Sequence, residues 1–210
     1  LEEKNNIIFD VGAHQGETVD FLYKNFIISH IFSFEPLEKN FKKLKKNTER
    51  LKSLVNYFNF ALGEKKEKKL IKEMIETSSS TLNDINEDSN YFKRKKFFLG
   101  LSKETKMYRE KTVSIEKGKC IINKFNIKTI NLLKIDTEGY EFNVIKGFER
   151  DIKKIRVVLF EHHYDLMIKK QYKFNDINIY LKDNGFELKS KFKMPFRKTF
   201  EYIYINRKID

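Results

Sequence analysis

The chain has 210 residues and a formal net charge of +13, from 43 Lys and Arg against 30 Asp and Glu. With 40 % hydrophobic and 14 % aromatic residues it can build one sizeable core, which excludes a disordered chain. Its single cysteine excludes an intrachain disulfide and a cysteine zinc cluster, and its apolar runs fall far short of the roughly 20 residues needed to cross a bilayer.

Residues 7–11 (IIFDV) read as a short, fully buried strand. Val19, Leu22, Tyr23 and Phe26 then follow the spacing of one helix face. HIFSFE (30–35) is a second strand, and Leu37, Phe41 and Leu44 lie along a second helix. LVNYFNFAL (54–62) is a third strand, so the first third of the chain predicts a parallel α/β unit with right-handed crossovers.

The middle is less regular. KKLIKEMI is read as an antiparallel strand and TSSSTL (77–82) as a polar loop. Residues 83–107, with KRKKFF, read as a charged surface excursion or flexible cap. Cys120, in KCIINKF, reads as a small buried hydrophobe. Alternation then resumes: INLLKID (130–136) is a strand, 138–148 a helix, IRVVLFEH (155–162) a strand, and 175–184 a helix stopped at Asn184-Gly185. FELKSKF (186–192) and FEYIYIN (200–206) alternate as an antiparallel hairpin closing the sheet edge. The prediction is one doubly wound domain over residues 1–210, with about seven main strands.

In such folds ligands bind outside the carboxyl ends of the strands, where strand order reverses. The first strand ends at Asp10 and turns through Gly12 and Gly16, which would let the backbone approach a ligand closely. This spacing is neither the dinucleotide Gly-x-Gly-x-x-Gly nor a Walker loop. Glu35 ends the second strand about 20 residues later, where a carboxylate can accept both hydroxyls of a free ribose. A glycine turn without a pyrophosphate cradle, plus that glutamate, suggests S-adenosylmethionine. Its cationic end suits a site containing Asp10 and Asp136.

FDVGAHQGE, FSFEP, SSST and LLKIDTEGYEFNVIKGFE, in this order over residues 6–163, resemble the FkbM family of S-adenosylmethionine-dependent methyltransferases. The resemblance implies a Rossmann-like class I methyltransferase fold and O-methylation of a sugar, glycan or similar small-molecule hydroxyl. It implies that Asp10, Gly12, Ala13, His14 and Gly16 line the methionine end, that Glu35 binds the ribose, that Phe60 and Ala61 border the adenine, and that Pro36 is also a cofactor-binding residue. The stretch 83–107 and the tail beyond 165 are left to hold acceptor specificity.

The fourth and fifth main strands end in Asp136 and Glu138, and in Glu161, His162 and His163, the candidate catalytic residues. Two mechanisms stay open. Asp136, Glu138 and His162 could hold Mg²⁺ or another divalent cation that lowers the acceptor's pKa, or one histidine could act as a direct base. Strand alternation sends the two histidines to opposite faces. His14 is expected to act through its backbone. Ser78, Ser79, Ser80 and Thr81 offer hydroxyls to the donor carboxylate or the acceptor.

The rival readings are an RNA ribose methyltransferase, suggested by the charge, and a non-catalytic donor-binding module. The fourth strand ends in DTEG rather than the Pro-Pro-aromatic turn of amino-methylating enzymes, which argues against base N-methylation though not against ribose O-methylation. The basic residues are dispersed apart from KRKK (93–96), so no continuous phosphate track is visible and a nucleic-acid acceptor is not expected. No signal-peptide pattern opens the sequence, which starts at Leu1, and a cytoplasmic location is expected.

Overall fold

The structure is a computed structural model that describes residues 6–76, 79–102, 104–195 and 198–209. Ser78 therefore lies outside the described residues.

Short apolar runs form the main sheet because both of its faces are covered. Its strands are β1 (Ile7–Val11), β2 (His30–Phe34) and β3 (Val55–Phe58) from the first third of the chain. Helices α1 (Glu17–Asn25) and α2 (Glu38–Asn47) connect them. The intervening segment holds β4 (Ala61–Leu62), β5 (Glu67–Met74), β6 (Asp84–Ile85), α3 (Asn90–Phe98), β7 (Tyr108–Glu116) and α4 (Gly118–Lys124). The main sheet continues through β8 (Ile130–Ile135), α5 (Glu141–Lys146) and β9 (Ile155–His163). The chain closes with β10 (Ile168–Lys169), α6 (Phe174–Asp183), β11 (Phe186–Lys193) and β12 (Thr199–Asn206). The seven-stranded order is β11-β12-β9-β8-β1-β2-β3: β12 runs antiparallel to both its neighbours, forming the expected antiparallel hairpin with β11, and the other strands all run parallel to one another. Chain order reverses between β1 and β8, which puts the ligand crevice at their carboxyl ends.

Several local expectations are corrected. LVNYFNFAL is not one strand. Asn59 breaks it by donating its side-chain amide to the carbonyls of Glu35 and Pro36, at 2.9 and 3.2 Å. Beyond the break, β4 joins a second sheet ordered β4-β7-β5, in which β7 was not anticipated and β5 is antiparallel, as read. On α1 only Val19 and Leu22 are buried; Tyr23 is 46 % and Phe26 41 % exposed, because nine residues bury just a narrow stripe. Cys120 is exposed on α4, while the next two residues, Ile121 and Ile122, turn into the core.

Within residues 83–107, read as a surface excursion or flexible cap, the described residues carry regular structure. Ser89 Oγ caps α3 by accepting from the Phe92 amide at 3.2 Å, and β6 pairs with β10. Met74, Ile85, Phe92, Met107, Met167 and Ile168 form a small separate core beneath them. No helix among the described residues is long and apolar enough to cross a membrane.

Candidate active site

The turn after β1 has three left-handed residues in five: Gly12 (φ 84°), His14 (φ 47°) and Gly16 (φ 98°). A Cβ on Gly12 would sit 1.9 Å from the Asp136 carbonyl oxygen, and one on Gly16 would sit 2.8 Å from Thr48 Cγ2. These glycines therefore let the chain pass close to β8 and α2. Asp136 N donates to the Val11 carbonyl at 2.9 Å, and Gly12 N and Ala13 N both donate to the Phe34 carbonyl at 3.0 Å. The turn is thus wedged between the ends of β2 and β8.

Glu35 braces it from the other side. Its carboxylate accepts from His14 N at 3.0 Å and from Leu37 N at 2.9 Å. Burial pushes this carboxyl up to about 7, against those two bonds. His14 contributes its amide here, while its ring pairs with Glu17 at 3.1 Å.

A cavity of ≈ 260 Å³ opens above the turn. Of the residues expected to hold a ligand, Gly12, Ala13, His14, Glu35, Pro36, Ala61, Ser80 and Asp136 line it, and so does Glu138. Asp10, Gly16 and Phe60 do not line it. Asp10 is fully buried in β1, and its carboxylate faces Lys134 Nζ at 3.4 Å. Phe60 packs on Phe34 and Phe58, with ring centroids 5.9 and 5.3 Å apart.

Lys134 was not anticipated as a site residue. It lines the cavity and reaches both Asp10 and Asp136, the latter at 3.3 Å. Burial disfavours its charge, but the two carboxylates outweigh burial and hold the ammonium well above the usual lysine range. Asp10 thus faces Lys134 rather than the cavity, and burial raises its pKa against the pull of that ammonium. A lysine inside the apolar run INLLKI was the available signal.

DTEG does not open a helix as expected; α5 starts only at Glu141. Glu138 (φ 50°) and Gly139 (φ 96°) are left-handed. The buried Glu141 carboxylate folds back to accept from Gly139 N at 2.7 Å and Thr137 Oγ1 at 3.2 Å, and Tyr172 donates to it at 2.5 Å. Thr81 Oγ1 secures the turn by donating to the Glu138 carbonyl at 2.7 Å. A glutamate held in the left-handed region costs on the order of 1 kcal/mol, and the surrounding bonds keep it there.

This conformation sends the Glu138 side chain inward to His163, whose Nε2 lies 3.2 Å from Glu138 and 3.6 Å from Glu161. His163 Nδ1 faces Thr199 Oγ1 at 3.1 Å and Asp165 at 3.6 Å. Burial raises the Glu138 carboxyl to about 8, a rise that the His163 charge opposes. Burial also disfavours charge on His163, but Asp165 and Glu138 prevail and raise it to about 9. Burial and Asp136 raise Glu161 to about 7. Glu138, Glu161 and His163 are thus brought together beside Asp136.

His162 is not part of this group. It turns to the opposite face of β9 and packs against the rings of Tyr164, Tyr172 and Phe174. Burial lowers its pKa to about 3, so it is neutral. The expected cation trio of Asp136, Glu138 and His162 does not form, and no cluster of three or more His, Cys, Asp or Glu side chains among the described residues is arranged to hold a metal. His162 Nδ1 is buried with no hydrogen-bond partner among the described residues. His162→Phe is therefore expected to keep or raise stability, by up to about 1–2 kcal/mol in chemical denaturation. A large loss would show that the imidazole is tied into the site after all.

The family described as the methyltransferase FkbM domain matches residues 10–188. No curated protein sequence matches the chain. Among solved structures, methyltransferase FkbM from Methylobacillus flagellatus KT is similar, with 15 % identity and a TM-score of 0.62 over 97 % of this chain and 45 % of that one. M. capricolum TrmK, in complex with S-adenosylhomocysteine, has 11 % identity and a TM-score of 0.54 over 99 % of this chain and 65 % of its own. Streptococcus pneumoniae Sp1610, a candidate tRNA (m1A22) methyltransferase bound to S-adenosyl-L-methionine, has 12 % identity and a TM-score of 0.52 over 97 % and 67 %. The chain thus spans about half to two thirds of the length of these structures, and identities this low establish likeness of fold alone.

Proposed function

The chain belongs to the methyltransferase FkbM family, and from that premise we propose that its cavity binds S-adenosylmethionine while the Glu138 cluster prepares an acceptor hydroxyl for methylation. One observation carries this reading: Glu35 and Glu138 line the same cavity, at the point where the strand order reverses. The chain would then be one catalytic unit, with residues 83–107 as its cap.

The cavity fits the donor chemically. The Glu35 carboxylate receives backbone N–H groups from His14 and Leu37 and a side-chain bond from Asn40, which leaves it one acceptor position for a ribose hydroxyl. Leu37, Ala61, Leu62 and Leu82 offer an apolar wall to a base, and Asp136 offers a carboxylate to a cationic end. When bound, S-adenosylmethionine supplies an electrophilic methyl group on a sulfonium centre.

The chain's own residues do the rest. Glu138, in its carboxylate form, accepts the proton of the acceptor hydroxyl. Its raised pKa makes it a stronger base than an exposed glutamate. His163 holds a positive charge against it, and Asp165 and Thr199 hold that ring. The acceptor is a hydroxyl on a sugar, glycan or similar polyol. A carboxylate-rich reacting end accepts hydrogen bonds from hydroxyls and repels a polyanion such as RNA. The family match and the S-adenosyl ligands of TrmK and Sp1610 support the donor assignment.

Label transfer from the donor to glycan and RNA pools across a salt series tests the acceptor. Glycan products that persist as salt rises are expected, because few phosphate contacts release few counterions. RNA methylation that collapses with salt, without glycan product, would overturn the assignment. Glu35→Gln is expected to weaken S-adenosylhomocysteine binding by about 1.5–3 kcal/mol, the worth of a hydrogen bond to a charged group. In the unaltered chain this binding should tighten as pH rises through about 7, where Glu35 ionises, and the variant should lose that dependence. Calorimetry from about pH 5.5 to 8.5 reads both effects.

A further inference from the structure

The end of α3 carries an apolar surface that the described residues leave open. Phe97 and Phe98 are 79 % and 78 % exposed, with ring centroids 6.0 Å apart, and Leu166 in the loop after β9 is 76 % exposed. Phe98, Leu99, Tyr164 and Leu166 line one groove, so the patch is continuous from α3 to that loop. Leu166 is held in the left-handed region (φ 62°), and Asp165 fixes its turn by accepting from Met167 N at 3.0 Å. Large apolar side chains gathered in this way on a protein surface mark an interaction site.

The rim of the patch is basic on balance. Lys93, Arg94 and Lys96 stand on α3, and Lys198 lines the groove just before β12. Against them, Asp88 lines the groove 3.7 Å from Lys93, and Glu104 lies close enough to Lys96 to feel its charge. Asp165 also lines the groove, but its carboxylate is buried beside His163. Four cations therefore face two exposed acids, on a chain of net charge +13.

We propose that this face docks on the surface of an anionic lipid bilayer. Phe97, Phe98 and Leu166 enter the headgroup layer, and the lysines and Arg94 meet the lipid phosphates. Exposed Phe and Leu bounded by Lys and Arg is the pattern of interfacial binding, because long basic side chains lay their apolar stems on the patch and keep their charges at the phosphates. The backbone of this tip is already satisfied. Gly100 (φ 65°) closes α3, and the carbonyls of Lys95, Lys96 and Phe97 accept from Leu99 N, Leu101 N and Gly100 N at 3.0–3.2 Å. Lowering the tip among headgroups therefore strips water from few unpaired polar groups. A second copy of the chain is a poorer occupant, since a two-fold contact sets these same cations against one another. The proposal is independent of the donor reading.

Co-sedimentation of the full chain with vesicles tests it, using phosphatidylcholine alone or with about 30 % phosphatidylglycerol. The anionic vesicles should bind at least about tenfold more tightly than the neutral ones, and added salt should weaken that binding by screening. The double variant Phe97→Ser, Phe98→Ser should lose about tenfold or more in affinity with an unchanged unfolding midpoint, because both rings are exposed. Arg94→Gln, Lys198→Gln should lose the preference for anionic lipid. Insertion has a separate readout. The chain contains no tryptophan, so Phe98→Trp supplies a single indole whose emission should shift to the blue on anionic vesicles. Phe21→Trp, at an exposed position on α1, should show no shift. Binding to neither vesicle, equal binding to both, binding that survives loss of both phenylalanines, or equal shifts at the two indoles would overturn the proposal. So would a dimer in sedimentation equilibrium that Phe97→Ser, Phe98→Ser converts to monomer, since the face would then serve a second copy.

Discussion

Gly12→Ala is expected to cost roughly 2–5 kcal/mol of stability, the sum of backbone strain and overpacking, and to eliminate S-adenosylhomocysteine binding. Two independent costs meet at this position. The φ of +84° lies where an L side chain is strained, and the added Cβ would overlap the Asp136 carbonyl oxygen at 1.9 Å. The neighbour is backbone, so no rotamer change can relieve the contact. Relief requires parting the ends of β1 and β8, which also breaks the bond from Asp136 N to the Val11 carbonyl. Gly100 is the control: its φ is +65° but nothing lies within 4 Å of its Cβ position. Gly100→Ala should therefore show strain alone, about 1 kcal/mol. Urea denaturation and calorimetry compare the two variants. Equal costs, or intact binding in Gly12→Ala, would show that β1 and β8 do not meet as described.

Glu138→Gln is expected to lower kcat by about 10²–10⁴-fold, the usual worth of a positioned general base, with donor affinity little changed. The fold should survive, because Thr81 holds the Glu138 carbonyl rather than its side chain. The pH dependence gives an independent reading. Activity of the unaltered chain should climb as pH rises through about 8, where Glu138 loses its proton. His163→Asn removes the positive neighbour, so the Glu138 carboxylate is disfavoured and the rising limb should move to higher pH. Glu138 and His163 titrate as a coupled pair, and the profile reports the pair. A flat profile, or a Glu138→Gln enzyme with full turnover, would remove Glu138 from the mechanism.

Legibility of the fold varied with the range of the contacts. The alternation of IIFDV, HIFSF, INLLKI and IRVVLFEH with helical stretches was readable because a strand buried on both faces is a continuous apolar run. Strand β7 was missed: YREKTVSIE buries only Val113 and Ile115, too little to stand out among its charges. The break at Asn59 was missed because side-chain bonds to residues 23 and 24 positions away end the strand, not a glycine or proline. The cap escaped for a related reason, since Phe92 and Ile85 find their partners at Met167 and Ile168, across much of the chain.

For the site, the residues themselves determined the turn through Gly12 and Gly16, the position of Glu35 at the end of the second strand, and the opposition of His162 and His163 across theirs. Each of these follows from local geometry: backbone permissiveness, strand length and the two-residue period of a strand. Only the tertiary structure decided that Gly12 is needed by Asp136, that Asp10 faces Lys134, and that His163 rather than His162 reaches Glu138. Those outcomes join residues 25 to 124 positions apart. Local periodicity holds no record of such pairings, because they arise when parallel strands are laid side by side and their carboxyl ends converge.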